Sequence, residues 1–150
     1  MRQRMTDVAF HFGAPDKLAY ACRLLRKATS TGARVMLVAN PDDLAHLDTA
    51  LWGITPTDFV SHARADAPPG MLARSSVLLG ATEFGGDSLP EILVNMGDAV
   101  PKAFADFARV IEIVSTDEVD RNLARLRWMA YKQQGISITR HDLQLRAPAA

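Results

Sequence analysis

Short apolar runs alternate with segments of helical period through the first third of the chain. Residues 8–12 form one such run, and the apolar positions after it recur at helical spacing: Leu18, Cys22 and Leu25. Residues 34–39 form a second run, mostly apolar, as in a strand that is covered on both faces. Asn40-Pro41 is then typical of a helix start. Strand, helix, strand, helix in this order normally builds a parallel sheet, so the sequence predicts an α/β fold.

The middle of the chain continues this pattern less regularly. Residues 61–75 contain Pro68-Pro69-Gly70 and little periodicity, which predicts a surface loop. Short apolar runs predict three further strands, at residues 77–79, 92–94 and 110–114. Before the last of these strands, Phe104 and Phe107 are predicted to lie on a short helix. The whole pattern fits a mostly parallel sheet flanked by helices.

A long last helix follows the final predicted strand. Ser115 and Glu118 have capping-box spacing, and the helix they introduce is predicted to run to about Gln134, before Gly135. The 150 residues suit a single domain, which we place at residues 1–145. Residues 146–150 are predicted to form a disordered tail.

Composition limits the classes of protein that fit this fold. Hydrophobic residues make up 48% of the chain and charged residues 23%, which excludes wholesale disorder. Seventeen basic residues balance seventeen acidic ones, so no overall field attracts nucleic acid or an anionic membrane. No apolar run approaches the roughly 18 residues of a membrane span, and no signal peptide is recognisable. With Cys22 as its one cysteine, the chain is expected in the reducing cytoplasm.

The chemistry of common catalytic and cofactor sites is missing from the sequence. Residues 11–15, after the first strand, lack both the glycine-rich dinucleotide turn and a phosphate-binding Gly-Lys-Ser/Thr. The four histidines show no zinc-binding spacing, and Gly85-Gly86 is interpreted as a turn. Cys22 lies on the apolar side of its helix, which favours a buried structural thiol. We therefore expect no catalytic activity, no cofactor and no metal.

Charge is unevenly distributed around the last helix. Residues 82–120 contain nine acidic and two basic residues, whereas residues 121–140 contain five basic residues and no acidic one. At 100° per residue, one apolar stripe is predicted to be buried: Val119, Leu123, Leu126 and Ala130. The opposite side of the helix carries a different set: Arg121, Arg125, Trp128 and Lys132. A tryptophan among three cations is therefore predicted to point away from the core.

Two interpretations of this basic side remain open. It can be a solvated helix face whose tryptophan lies against another element. Alternatively it binds an acidic ligand that ends in an apolar group, because cations engage carboxylates while an indole packs an apolar side chain. Single-stranded nucleic acid fits the same residues through phosphate contacts and base stacking, although three cations are few for that role.

A second aromatic pair lies between residues 50 and 62. Trp52 stands at the end of the second predicted helix, and Phe59 follows seven residues later. The two aromatic residues are either ordinary core anchors or part of a protein-binding patch.

Taken together, these segments resemble one known family. The resemblance is carried by Ala50-Leu51-Trp52 with Phe59-Val60 and His62, by the segment 104–107, and by Leu123-Ala124-Arg125 with Ala130-Tyr131. It spans residues from about Thr6 to Leu143. The family is the chi subunit of bacterial DNA polymerase III holoenzyme.

The resemblance implies a mononucleotide-binding-like, Rossmann-like fold and a non-catalytic accessory role in replication. Chi links the clamp loader, through the psi subunit, to the acidic C-terminal tail of single-stranded-DNA-binding protein, and so reaches DNA indirectly. The tail-binding positions of the family look like four residues of the last helix here: Arg121, Arg125, Trp128 and Lys132. The positions that face psi, or another clamp-loader subunit, look like Trp52 and Phe59.

Overall fold

The computed structural model describes residues 6–52, 60–82 and 89–143. Seven strands form one sheet: β1 Asp7–Ala14, β2 Val35–Val38, β3 His62–Arg64, β4 Val77–Gly80, β5 Ile92–Asn95, β6 Arg109–Ser115 and β7 Ile138–Asp142. Four α-helices accompany them: α1 Lys17–Ser30, α2 Pro41–Ala50, α3 Pro69–Arg74 and α4 Glu118–Gln133. A 3-10 turn spans Phe104–Asp106. The strand order is β3-β4-β2-β5-β6-β1-β7, with every described pairing parallel, which confirms the predicted α/β fold.

Alternate residues of the central strands enter two hydrophobic cores, one on each face of the sheet. Leu37 of β2 packs in the core beneath α1 and α2, together with Leu25 and Leu47. Its neighbour Met36 enters the opposite core, beneath α4, with Phe107. Because both faces are covered, β2 and β4 show no alternation of apolar and polar residues.

The predicted start of α2 is confirmed. The Asn40 side chain accepts a hydrogen bond of 2.8 Å from the backbone N–H of Asp43, and Pro41 begins α2. Gly32 follows α1 with a φ of +90°, a conformation that favours glycine.

The predicted loop at residues 61–75 is wrong in part, since this segment contains β3 and α3. β3 has three residues and α3 has six, so neither is long enough to show a period. β7 was not predicted either. Among the described residues it pairs with β1 alone, and its sequence Ile-Thr-Arg-His-Asp contains no apolar run.

The start of α4 also differs from the capping-box prediction. The N-cap is Asp117, whose carboxylate accepts from the backbone N–H of Asp120 at 3.0 Å. Ser115 lies two residues earlier and accepts from the N–H of Asp117. The end of the helix is as predicted, with Gly135 at a φ of +77°. Phe107 directly follows the 3-10 turn and is fully buried. Gly85-Gly86 and the predicted tail lie outside the described residues.

Candidate functional site

The side of α4 that faces the core is not the predicted one. Its buried residues are Ala124, Arg127 and Tyr131. Val119 and Leu126, assigned to the buried stripe from their period, are 66% and 64% exposed. The helix is therefore rotated by about 100° from the predicted orientation.

A buried polar network accounts for this rotation. Glu112 on β6 is completely buried, and one of its carboxylate oxygens accepts from Arg127 Nε at 2.9 Å. The other oxygen accepts from the Tyr131 hydroxyl at 2.7 Å, and Asn95 Nδ2 donates to both. Burial raises the pKa of Glu112, although the Arg127 charge and the hydrogen bonds act against that rise. A buried carboxylate requires such partners, so α4 turns Arg127 and Tyr131 inward.

The network could have been suspected from the sequence. Glu112 is the one charged residue in the apolar run 110–114, and Arg127 and Tyr131 are four residues apart on the following helix. A charged residue within a buried strand needs a partner, and an Arg-Tyr pair on one helix face supplies it. Hydrophobic periodicity alone ignores this requirement.

The four predicted binding residues of α4 lie within an arc of about 60° beside the buried side. Arg121, Arg125 and Lys132 are exposed. Arg125 Nη1 also donates to Asn122 Oδ1 of the same helix at 2.9 Å. This arrangement presents three positive charges to solvent on one side of α4, as the sequence predicted.

Trp128 lies at the inner border of these cations and does not point away from the core. It is partly buried, and its ring centroid lies 5.1 Å from that of Phe10 and 6.0 Å from that of Phe12, both on β1. The interpretation that the tryptophan lies against another element is therefore correct. The ring still reaches the surface next to the three cations, and we call Arg121, Arg125, Trp128 and Lys132 the α4 cationic face.

Trp52 forms part of a separate surface. Its side chain is 63% exposed, which contradicts the core-anchor interpretation for this residue. The ring contacts His62 of β3 edge-on, with 5.8 Å between centroids, and His62 Nε2 lies 2.8 Å from an Asp48 carboxylate oxygen. Phe59 lies outside the described residues. β3 is at one edge of the sheet, and β1, which carries the rings beneath Trp128, is five strands away, about 24 Å at the usual spacing.

Other reactive groups have structural surroundings. Cys22 of α1 is buried, and burial raises the pKa of its thiol, in agreement with a structural cysteine. Within residues 6–52, 60–82 and 89–143, no three His, Cys, Asp or Glu side chains cluster as metal ligands would. None of the helices described here is long and apolar enough to cross a membrane.

Comparison with known proteins identifies the relatives of this chain. Residues 5–139 match the model of a family described as DNA polymerase III chi subunit, HolC. A Pseudomonas aeruginosa protein named DNA polymerase III subunit chi is 31% identical over 128 residues, which cover 85% of this chain and 87% of the relative. The protein of that name from Escherichia coli K12 is 25% identical over 118 residues, covering 78% of this chain and 79% of the relative.

Proposed function

This chain belongs to the DNA polymerase III chi subunit family, and from that premise we propose that it is a non-catalytic accessory subunit that holds an acidic protein tail on α4. The tail is the C-terminus of single-stranded-DNA-binding protein, in the cell interior. Through a surface that includes Trp52 and Phe59, the subunit binds psi or another clamp-loader subunit. It thereby connects the clamp loader to protein-coated DNA without binding the DNA itself.

The observation that carries the proposal is the α4 cationic face. Arg121, Arg125 and Lys132 are exposed beside a tryptophan that already rests on two phenylalanines. Exposed guanidinium and ammonium groups bind carboxylates, and the supported indole offers a firm apolar surface for a terminal aromatic side chain. Acidic residues that precede a terminal phenylalanine match both parts of this surface.

The position of Trp52 supports a linking role. An exposed tryptophan beside the edge strand is a large apolar group in water, which is typical of interface anchors. Because it lies at the other edge of the sheet from α4, a partner bound there leaves the α4 cationic face accessible. Two partners can therefore be held at once.

Direct binding of single-stranded nucleic acid is the alternative, and one titration separates the two functions. The purified chain is titrated with a short acidic peptide ending in Pro-Phe and, separately, with an oligonucleotide of similar net charge. We expect saturable peptide binding and no saturable oligonucleotide binding at the same salt concentration. Oligonucleotide binding without peptide binding would contradict the proposal.

The linking role is tested with Trp52→Ala in the same assays. Trp52 is exposed, so this variant should keep its fold and its peptide affinity while it loses co-purification with psi. Leu126→Ala, which truncates an exposed apolar residue of α4, is the matched control and should keep the psi contact. Loss of peptide binding in Trp52→Ala would mean that the two surfaces are not separate.

A further inference from the structure

A small cavity of about 240 Å³ opens at the carboxyl ends of β1, β6 and β7, next to the start of α4. It is lined by Phe12, Gly13, Ser115, Thr116, Arg121, Arg140 and Asp142. The regular pairing of β1 with β6 is interrupted between His11 and Ala14, where Gly13 has a φ of +84°. Crevices outside the carboxyl ends of parallel strands are where α/β sheets bind ligands. Arg121 belongs to both this cavity and the α4 cationic face, so the two are continuous.

Phe12 lies between Trp128 and Arg140 and contacts both. The Phe12 ring centroid lies 6.0 Å from that of Trp128, and Arg140 Cζ lies 5.0 Å from the same Phe12 centroid. A guanidinium at this distance from a ring is attracted to its face and held in place. The binding surface therefore continues from α4 across β1 to Arg140 on β7.

The side chains that line the cavity carry a net positive charge, which favours binding of one further carboxylate. Arg121 and Arg140 are positive and Asp142 is negative, which gives a net charge of one positive unit. Arg140 Nη2 lies 4.0 Å from Asp142 Oδ2, a long contact, and the Arg140 side chain is 65% exposed. A guanidinium has five N–H donors, so Arg140 can receive a second carboxylate. The nearby Asp120 carboxylate accepts from Lys17 and from the Ser115 backbone N–H.

We propose that Arg140, together with Arg121, receives the C-terminal carboxylate of the acidic peptide in this cavity, with the terminal aromatic ring on Trp128 and Phe12. The inference rests on the proposed function, because it requires an acidic peptide on α4. It adds Arg140, a residue of β7, to a proposed site whose other cations lie on α4. It also gives the C-terminal position of the peptide a specific receptor.

The test is a double-mutant cycle between Arg140 and the peptide terminus, using the full chain. Wild type and Arg140→Gln are titrated with the peptide as a free acid and as a C-terminal amide. In wild type, amidation should weaken binding about tenfold; Arg140→Gln should bind the free acid about five- to tenfold more weakly, and amidation should then cost less than about twofold. Arg109→Gln makes the same change on an exposed strand residue at the other end of the sheet and should match wild type.

Each failure has a distinct meaning. If wild type binds no acidic peptide, the proposed function is wrong and this inference falls with it. If wild type binds the peptide but amidation costs as much in Arg140→Gln as in wild type, only this inference is overturned.

Asp142 provides a second test with an effect of opposite sign. It competes with the peptide carboxylate for Arg140, so Asp142→Asn should raise affinity for the free acid about two- to threefold. In the Arg140→Gln background the same change should give no gain. Circular dichroism and Tm confirm that each variant is folded. Unchanged or weaker binding by folded Asp142→Asn would contradict the competition and overturn the assignment of Arg140.

Discussion

Trp128 contributes both to packing and to the proposed binding surface. Its ring contacts those of Phe10 and Phe12 and is partly exposed. Arg121, Arg125 and Lys132 are exposed. Substitutions in this one surface should therefore differ in how they respond to salt and in how much they affect stability.

Arg125→Ala and Trp128→Ala should both weaken peptide binding, but with different salt dependence. Arg125→Ala should reduce the salt sensitivity of binding, because exposed charge pairs are screened over about 8 to 10 Å at physiological ionic strength. Trp128→Ala should weaken binding equally at all salt concentrations, by about 2 kcal/mol or roughly thirtyfold. Peptide titrations at two ionic strengths measure both effects.

Thermal melting completes this prediction. Trp128→Ala should lower Tm because it removes contacts with Phe10 and Phe12, whereas Arg125→Ala should leave Tm nearly unchanged. Trp128→Phe keeps a ring in contact with β1 and should recover most of the stability. If Trp128→Ala lost stability and kept its peptide affinity, the tryptophan would be a structural anchor outside the binding site.

The sequence predicted the members of the α4 cationic face but not the depth of Trp128. Positions 121, 125, 128 and 132 share a helix side in any rotation, because that follows from the helical repeat alone. Which residues meet the core depended on a polar contact with Glu112, and hydrophobicity assigned that role to Val119 and Leu126. Arg140, which we propose as a further site residue, was not predicted because β7 has no apolar run.

At the scale of elements, α4 is oriented by hydrogen bonds as well as by apolar packing. Arg127 and Tyr131 both bind the Glu112 carboxylate, and Arg127 Nη1 also donates to the Asp98 carbonyl at 3.3 Å. A buried charge has few alternative partners, so the network permits one rotation of the helix. The exposed cations are consequently fixed toward solvent.

Arg127→Ala should be among the most destabilising single changes in the chain. It leaves Glu112 buried without its countercharge, and breaking a buried ion pair costs about 3 to 5 kcal/mol. Arg125→Ala, which removes an exposed arginine from the same helix, is the control and should cost little. Denaturant unfolding gives both free energies.

A double variant identifies the cause of this loss. Arg127→Met with Glu112→Gln removes both charges while it keeps side chains of similar volume, so it should be more stable than Arg127→Ala. Equal stability of the two would show that lost packing, and not the unpaired carboxylate, explains the effect.

In the whole molecule, an ion pair connects the two helical layers around the sheet. Lys17 at the start of α1 donates to Asp120 of α4 at 3.1 Å, and α1 and α4 pack on opposite faces. Partial burial alone would raise the pKa of Asp120, but the Ser115 backbone N–H and the Lys17 charge outweigh it and lower the pKa below its ordinary value of 3.8. The ionised carboxylate therefore stabilises the folded state.

This shift predicts a specific acid dependence. A carboxyl group whose pKa is lowered by folding contributes stability above its unfolded pKa, and that contribution is lost as pH falls through the folded value. Asp120→Asn should therefore be about 1 kcal/mol less stable than wild type at pH 7, with the difference shrinking below about pH 4. Unfolding in denaturant from pH 7 to pH 3 measures it, with the exposed Asp66→Asn as control. A constant difference at every pH would contradict the prediction.

The overall architecture was predictable because buried parallel strands are continuously apolar, as in residues 35–38 and 77–79. The order of strands was not, since it depends on contacts between distant segments. Consequently the sequence could name Trp52 and the α4 residues but could not place them at separate edges of the sheet.

The strand order also determines when each surface can form. β1 lies between β6 and β7, and Thr6 beside it donates to the Phe107 carbonyl 101 residues further along the chain. Pairings this distant in sequence form slowly, because a long loop must close first. β1 is synthesised first, but it can pair only after β6 and β7 have been translated. When only β2 to β5 of a nascent chain have paired, the β3 edge beside Trp52 is already formed. The cavity at the carboxyl ends of β1, β6 and β7 is not yet formed.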